Sequence, residues 1–216
     1  MKIGIMGGTF DPIHNGHLML GEYAYRQFTL DKIWFMPNGN PPHKASENIE
    51  SQTKHRVEMV KLAIQGKDYF ELQSYEVETK DVHYSYKTME HFCKMYPEDE
   101  FYFIIGADSL FSIEKWRCPE RLVKLCTILA AYRDEKGTEE MLSQIQYINE
   151  KYGADIRLLN TPNVDISSTD IRKALKQETS AQKGQLLREF LPEAVINYIE
   201  TKELYKDDEN GSGKMG

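Results

Sequence analysis

Short apolar segments alternate with amphipathic segments along most of this chain. The apolar segments have the length of single strands, and the predicted strands are Lys2–Met6, Lys32–Met36, Phe101–Ile105, Thr127–Ala131 and Ile156–Leu159. Some of them are apolar without interruption, as expected for strands covered on both faces of a sheet. Strands that alternate with helices form βαβ units, so the pattern predicts an α/β fold with a Rossmann-like, doubly wound parallel sheet.

The amphipathic segments predict helices, because their apolar residues recur at helical spacing. The predicted helices are Asn15–Gln27, Thr53–Ile64, Glu139–Lys151, Thr169–Lys176 and Glu193–Glu200. We interpret residues 1–205 as one domain, in which the residues from about 165 to 205 form a small C-terminal helical part. Residues 206–216 are almost entirely polar, which predicts a flexible tail.

The charge and composition limit the partners that the protein can bind. The chain has 27 lysines and arginines against 34 aspartates and glutamates, a formal net charge of −7. This balance argues against a general nucleic-acid or anionic-membrane surface. No apolar run approaches the ~20 residues that span a bilayer, and no signal-peptide pattern is found, so we expect a cytoplasmic protein. The three cysteines have neither zinc-site nor disulfide spacing, which favours reduced structural thiols.

The most specific motif is GGTFDPIHNGHL, which directly follows the first predicted strand. Gly7 and Gly8 allow the backbone to approach a ligand closely. The predicted helix begins near Asn15, so its free N–H groups and the positive end of its dipole face the same space. His14 and His17 flank that helix start, where both can donate hydrogen bonds to phosphate oxygens. The motif therefore predicts a phosphate site.

Other interpretations of this motif stay open. A glycine pair after a strand is often only a turn, and a lone histidine is often a packing or surface residue. The two histidines could also bind a metal, although Asp11 is the only candidate for a third nearby ligand. The order of strand, glycines, histidine pair and helix favours phosphate over these alternatives.

A second motif, ISSTDIR at residues 166–172, stands where a predicted loop becomes a helix. We expect Ser168 or Thr169 to cap that helix while its amides stay available to an anion. Arg172 follows about one turn later and can reach the same anion with its guanidinium group. Taken alone, the motif favours an ordinary N-cap followed by a solvated arginine.

A third cationic contribution comes from NPPHK at residues 40–44, where two prolines stiffen the loop that presents Lys44. The alternative is a rigid surface loop with an ordinary lysine. Four side chains together could supply the local positive potential that this acidic chain lacks as a whole: His14, His17, Lys44 and Arg172.

GTFDPIHNGH resembles the signature of the HxGH nucleotidyltransferase superfamily, and ISSTDIR resembles the second half of that family's ATP triphosphate site. The resemblance implies that His14 and His17 hold the triphosphate and stabilise charge on the α-phosphate and the leaving pyrophosphate. It adds Lys44 and Arg172 as further catalytic residues. The implied ATP site consists of Gly7, Gly8, Thr9, Phe10, His14, His17, Gly106, Asp108, Ile166, Ser167, Ser168, Thr169 and Arg172.

From residue 1 to about residue 199 the chain resembles the bacterial nicotinate-mononucleotide adenylyltransferases. The matching segments are PPHK at 41–44, IIGADSL at 104–110 with a tryptophan beyond it, and LPEAVINYI at 191–199. The resemblance implies that Trp116 stacks on the pyridine ring and that the Tyr84–Ser85 backbone receives the nicotinate carboxylate. Gly106 and Asp108 would contact a nucleotide ribose. The implied acceptor site consists of Lys44, Tyr84, Ser85 and Trp116.

One segment departs from the pattern of that family. The family usually carries a glycine and then Ser-Tyr-Thr before the next helix, whereas residues 81–88 here read DVHYSYKT. If recognition uses backbone N–H groups, serine in place of threonine at Ser85 changes little, but loss of the glycine can reshape the loop. The strictness of the preference for the acid over the amide is therefore left open.

The resemblance implies transfer of the adenylyl group of ATP to nicotinate mononucleotide, giving nicotinate adenine dinucleotide and pyrophosphate in NAD biosynthesis. The acceptor's 5′-phosphate would attack directly and in line, without a covalent enzyme intermediate, so positioning and charge neutralisation would carry the catalysis. Mg²⁺ would bridge phosphate oxygens, held mainly by substrate and water rather than by a protein cage.

Two other functions stay open at this stage. A related transferase, such as a phosphopantetheine adenylyltransferase or a cytidylyltransferase, shares the HxGH region but lacks the GADSL segment followed by a tryptophan. A non-catalytic nucleotide sensor could keep affinity for ATP, although both histidines, the lysine and the arginine are present here. The resemblance also leaves open whether the protein is a monomer or a homo-oligomer.

Overall fold

A parallel sheet forms the centre of the protein. The computed structural model describes residues 1–39, 51–79, 82–132, 137–162, 166–176 and 187–206. Within these residues the strands are β1 (Lys2–Gly8), β2 (Lys32–Pro37), β3 (Phe70–Leu72), β4 (Glu100–Gly106), β5 (Thr127–Tyr132) and β6 (Ile156–Asn160). Their order is β3-β2-β1-β4-β5-β6, and every neighbouring pair is parallel. The predicted Rossmann-like, doubly wound α/β fold is confirmed.

Helices cover both faces of this sheet. Among the described residues the α-helices are α1 (Asn15–Gln27), α2 (Thr53–Ile64), α3 (Tyr75–Glu78), α4 (Ser85–Met95), α5 (Ala107–Ser112), α6 (Pro119–Leu122), α7 (Thr138–Tyr152), α8 (Ser168–Lys176) and α9 (Glu193–Thr201). A short 3₁₀ helix spans Ile113–Lys115, and residues 187–190 are also helical. Side chains of α1, α2, α8 and α9 share a buried cluster with Ile33 and Phe35 of β2. Side chains of α4 to α7 share another with Trp34 and Met36. Neighbouring strand residues point to opposite faces, so β2 contributes to both cores.

The predicted strands and helices are confirmed, with ends that agree to within two residues. The prediction lacks α4, which has 11 residues, and four shorter elements of three to six residues each: β3, α3, α5 and α6. Segments of that length are shorter than two helical turns, so hydrophobic periodicity cannot distinguish them from loops.

The C-terminal part of the chain is helical where the structure describes it. It contains α8, helical residues 187–190 and α9. The bounds of the domain stay a prediction, and of the predicted tail only Lys206 lies among the described residues. No described helix is both long enough and apolar enough to cross a bilayer.

Small residues allow α1 to lie close to the sheet. Its buried face consists of Gly16, Leu20, Gly21 and Ala24. A Cβ on Gly21 would lie 3.0 Å from the Phe35 ring of β2, so a larger residue there needs that ring to shift. The start of α1 is thereby held at the carboxyl end of β1, the edge of a parallel sheet at which ligands bind.

Candidate active site

A cleft of about 570 Å³ opens at the carboxyl ends of β1, β2 and β4. The strand order reverses between β1 and β4, which is the place where doubly wound sheets bind ligands. The predicted site residues that line this cleft are Gly7, Gly8, Thr9, His17, Tyr84, Ser85, Gly106 and Trp116. The cleft therefore brings together residues predicted for ATP and residues predicted for the acceptor.

Residues 7–17, here called the HxGH turn, connect β1 to α1. Phe10, rather than Gly7 or Gly8, adopts a left-handed conformation, with a φ of 50°. Such a conformation is uncommon for a residue other than glycine and is often found at functional sites. The buried Phe10 ring packs edge-on against His17, with centroids 5.0 Å apart. Phe10 therefore supports the His17 ring, and its predicted contact with ATP stays a prediction.

His14 and His17 occupy the first turn of α1 in different environments. His14 is 2% exposed, whereas His17 is partly exposed and lines the cleft. The backbone N–H of His14 donates to Nδ1 of the His17 ring at 3.2 Å, and the centroids of the two imidazole rings lie 3.7 Å apart. Because Nδ1 of His17 accepts this bond, the N–H of its neutral ring is on Nε2. His17 can thus donate from Nε2 to an anion in the cleft.

The ISSTDIR motif packs directly against the HxGH turn, although the two are far apart along the chain. The Ser168 hydroxyl donates to the Pro12 carbonyl at 2.9 Å. Arg172 Nη1 donates to the Asp11 carbonyl at 2.7 Å. The structure therefore joins the two motifs. The predicted contact between Arg172 and ATP stays a prediction.

Gly16 makes this junction possible. A Cβ at that position would lie 3.0 Å from His14 Nδ1 and 3.2 Å from Ile166 Cγ2. Both distances are shorter than ordinary carbon contacts, so any larger residue must displace the histidine or the isoleucine. The glycine of the HxGH pattern therefore has a packing function in addition to its place in the helix.

Ser167 caps α8. Its hydroxyl accepts a hydrogen bond from the Asp170 N–H at 3.1 Å, and its carbonyl accepts one from the Ile171 N–H at 3.1 Å. The prediction that Ser168 or Thr169 caps this helix is wrong. The Ser168 hydroxyl is used by the HxGH turn instead, and Thr169 lies exposed within the first helical turn.

Some predicted site residues lie away from the cleft lining, or outside the described part of the chain. Asp108 is exposed in the first turn of α5 and does not line the cleft. Gly106 does line it, and a Cβ there would meet nothing within 4 Å. Protein packing therefore does not require glycine at this position, which leaves room for a ligand. Lys44 and its proline loop lie outside the described residues.

Three of the predicted acceptor residues line the same cleft: Tyr84, Ser85 and Trp116. Tyr84 is extended, and α4 begins at Ser85. The Tyr84 carbonyl accepts hydrogen bonds from the Lys87 and Thr88 N–H groups, so the amides of Ser85 and Tyr86 precede the first bonds of the helix. Trp116 lines the cleft and packs edge-on against Phe103 of β4, with centroids 6.4 Å apart. This arrangement offers backbone donors for a carboxylate and an aromatic surface for a flat ring.

The sequence analysis missed two charged residues of the cleft. Glu76 of α3 is only 7% exposed, and its Oε1 accepts a hydrogen bond from the Thr88 hydroxyl at 2.8 Å. Burial raises the pKa of Glu76, while Thr88 and the charge of His83 act in the opposite direction. Arg117 is exposed beside Trp116 and is the only lysine or arginine among the described residues that line the cleft. The sequence feature that could have identified Arg117 as a cleft residue is its position next to Trp116.

A buried arginine beneath the cleft was also missed. Arg56 of α2 is 1% exposed and donates to the carbonyls of Thr9, at 2.7 Å, and Asn38, at 3.0 Å. Thr9 and Asn38 follow β1 and β2, and both line the cleft. Burial lowers the pKa of Arg56, and the nearby Asp11 opposes that effect. No local sequence pattern indicates that Arg56 is buried, because a charged residue in an amphipathic helix is normally solvated.

Known proteins resemble this chain over nearly its whole length. The cytidylyltransferase-like family matches residues 5–174. A protein of Lachnoclostridium phytofermentans, named "probable nicotinate-nucleotide adenylyltransferase", is 45% identical over 199 residues, which cover 92% of this chain and 96% of that protein. A Clostridium botulinum protein of the same name is 42% identical over 207 residues, with 96% and 99% covered.

Solved structures share the fold. Nicotinic acid mononucleotide adenylyltransferase of Plasmodium falciparum, complexed with NaAD, superposes with a TM-score of 0.77, covering 94% of this chain and 97% of its own. At 23% identity this likeness concerns the fold alone. The family match and the relatives at more than 40% identity carry the assignment. The chain belongs to the cytidylyltransferase-like family and, within it, to the nicotinate-nucleotide adenylyltransferases, a family of enzymes.

Proposed function

We propose that this protein transfers the adenylyl group of ATP to nicotinate mononucleotide, which yields nicotinate adenine dinucleotide and pyrophosphate. One observation carries the proposal. A single cleft is lined both by residues of the HxGH turn and by Tyr84, Ser85 and Trp116. The names of its relatives, and a protein of the same fold in complex with NaAD, support the same reaction.

The part of the cleft lined by the HxGH turn suits a triphosphate. Gly7 and Gly8 line the cleft, and α1 begins beside them with the positive end of its dipole. His17 adds an Nε2 donor. We assign the α-phosphate and the leaving pyrophosphate to His14, His17, Lys44 and Arg172.

The part of the cleft lined by Tyr84, Ser85 and Trp116 suits a nicotinate nucleotide. Trp116 offers a face to the pyridine ring, and the first amides of α4 after Tyr84 can donate to the carboxylate. Arg117 places a positive charge beside Trp116, so the acid is favoured over the neutral amide. Glu76 lines the same cleft, and its carboxyl group accepts a hydrogen bond from Thr88.

The chemical step needs no group from the protein to form a covalent bond. An oxygen of the acceptor's 5′-phosphate bonds to the α-phosphorus of ATP while the bond from that phosphorus to the bridging oxygen breaks. Pyrophosphate leaves with the bonding electrons. Since a phosphate dianion is nucleophilic near neutral pH, the protein contributes by aligning the two phosphates and stabilising their charge.

Mg²⁺ enters this proposal as a companion of the substrate phosphates. Among the residues that the structure describes, no group of three or more His, Cys, Asp or Glu side chains could hold a metal ion. The expectation that Mg²⁺ has no dedicated protein cage stays a prediction. The ion would be carried by phosphate oxygens and water, where it neutralises charge.

Pyrophosphate release with ATP and Mg²⁺ tests the proposed function, with nicotinate mononucleotide and nicotinamide mononucleotide compared as acceptors. We expect release with the acid and a lower kcat/KM with the amide. Equal use of both acceptors would remove the specificity assigned to Tyr84 and Arg117 but keep the chemistry. No release with either acceptor, from a protein that binds ATP, would favour a sensor or a transferase for another phosphorylated acceptor.

A further inference from the structure

The carboxylate of Asp11 is buried at the centre of the HxGH turn. Asp11 is 2% exposed, and its Oδ1 accepts a hydrogen bond from the Tyr205 hydroxyl at 2.6 Å. The Ser51 hydroxyl donates to the same oxygen. A buried carboxylate is costly to desolvate unless donors surround it, so these partners determine where the carboxylate lies.

Tyr205 reaches this position because the chain folds back after α9. Glu203 and Tyr205 both adopt left-handed conformations, with φ values of 52° and 64°. Two such residues within three positions are unfavourable and persist only where surrounding contacts determine the backbone. The Tyr205 side chain is buried, and burial together with the charge of Asp11 raises its pKa. The hydroxyl is therefore protonated and donates at neutral pH.

The backbone on either side of the Asp11 side chain is held by two arginines. Arg56 donates to the Thr9 carbonyl at 2.7 Å, and Arg172 donates to the Asp11 carbonyl at 2.7 Å. Thr9 lines the cleft, and His14 follows Asp11 by three residues. Movement of Asp11 would therefore move the residues assigned to the triphosphate.

We propose that the segment after α9 is a positioning element for the HxGH turn, and that Tyr205 acts through Asp11 to hold the turn in the geometry that adenylyl transfer requires. The inference rests on the proposed function. Tyr205 does not line the cleft, so it is a positioning residue and not a catalytic one. If it served only to attach the C-terminus, its loss would lower stability alone.

Tyr205→Phe tests the proposal, because it keeps the ring and removes only the hydroxyl. Tyr198→Phe is the matched control. The Tyr198 hydroxyl lies 2.9 Å from His55 Nδ1 and likewise connects the C-terminal region to α2, but it does not touch the HxGH turn. We expect Tyr205→Phe to lower kcat by about tenfold, as a small misplacement of reacting groups does. The KM for ATP should change by less than about twofold.

We expect Tyr198→Phe to retain the kcat of the wild type, with a loss of Tm similar to that of Tyr205→Phe. The kcat values are compared at a temperature well below the Tm of both variants. An unchanged kcat in Tyr205→Phe, or an equal loss of kcat in Tyr205→Phe and Tyr198→Phe, would overturn the proposal. If Tyr205→Phe does not fold, Ser51→Ala removes the other donor to the same oxygen and gives the same comparison. Absence of pyrophosphate release in the wild type would refute the proposed function instead, so the two failures are distinguishable.

Discussion

His17 combines a structural and a chemical function in one side chain. Its Nδ1 accepts a hydrogen bond from the His14 backbone N–H, and its ring packs against Phe10. The same residue lines the cleft. A donor held in this way need not be reoriented during the reaction. A donor that is already oriented can stabilise the charge that develops in the transition state without a cost of reorganisation.

Replacing His17 with alanine should remove this donor without unfolding the protein. We expect kcat to fall by about 10²- to 10³-fold, the usual effect of losing one such donor. The rate is measured as pyrophosphate release, and thermal melting checks the fold. His91→Ala is the control, since His91 stacks on Tyr75 outside the cleft lining. A His17→Ala rate close to that of the wild type contradicts the assignment.

Replacing Arg117 tests whether its charge contributes to the preference for the acid over the amide as acceptor. We expect Arg117→Gln to lower kcat/KM for nicotinate mononucleotide, relative to nicotinamide mononucleotide, by about two- to fivefold, because exposed charges interact weakly. Lys115→Gln is the matched control. Lys115 is an exposed neighbour that lines an adjacent surface depression but not the cleft. An equal change in both variants would mean that only the general charge of the surface matters.

At the scale of the element, α1 is the part of the fold on which the site depends most. Its N-terminus forms one side of the cleft, and its glycines bring it close to the sheet and to ISSTDIR. Alanine at such positions gains about 1 kcal/mol of helix propensity over glycine. Contacts of 3.0 Å oppose that gain, and an overpacked core costs about 1–3 kcal/mol.

Gly16→Ala and Gly21→Ala should therefore differ in activity more than in stability. An alanine at Gly16 meets His14 and Ile166, whereas one at Gly21 meets Phe35 in the core. We expect both to lower Tm, and only Gly16→Ala to lower kcat, by about tenfold or more. Melting curves and steady-state rates measured on the same samples decide the matter. A Gly21→Ala variant with an equally reduced kcat would show that α1 packing, and not the HxGH junction, controls the rate.

The bridge between α3 and α4 predicts a pH dependence of stability. The folded-state pKa of Glu76 is raised above its ordinary value of 4.5, chiefly by burial. The folded state therefore binds this proton more tightly than the unfolded state, and the stability that Glu76 contributes falls as the pH rises above 4.5. Glu76→Gln keeps an oxygen for Thr88 and carries no charge.

We expect Glu76→Gln to raise Tm at pH 7 and to leave it nearly unchanged at about pH 4, below the unfolded-state pKa. Melting at the two pH values measures the difference. Glu78→Gln serves as a control, because Glu78 is an exposed glutamate of the same short helix. An equal gain at both pH values would indicate a packing effect rather than the cost of a buried charge.

At the scale of the whole molecule, the meeting of the two motifs was implied only by the family resemblance, whereas local patterns predicted the parallel sheet and the helices of nine or more residues except α4. They succeeded because strand length, helical period and a glycine-rich turn are readable within a short window. The Ser167 cap, the buried Arg56 and the link from Tyr205 to Asp11 were not predicted. Each depends on a partner chosen by tertiary packing, and the last joins residues 194 positions apart.

The C-terminus provides a test at this scale. A chain that ends after Lys206 keeps Tyr205, and we expect wild-type kcat and Tm, in line with the expected flexible tail. A chain that ends after Leu204 loses a buried aromatic side chain and should lose about 3 kcal/mol of stability, together with most of its activity. Normal activity in the shorter chain would remove the function inferred for Tyr205.

The bond between Tyr205 and Asp11 also has a consequence for how the protein is made. During translation Asp11 emerges among the first residues, whereas its partner follows 194 positions later. At about 5–20 residues per second, the nascent chain waits roughly 10–40 s for that partner. Until then the HxGH turn exists without the donor that completes it. A chain interrupted before residue 205 therefore lacks the Tyr205 hydroxyl as a donor to Asp11.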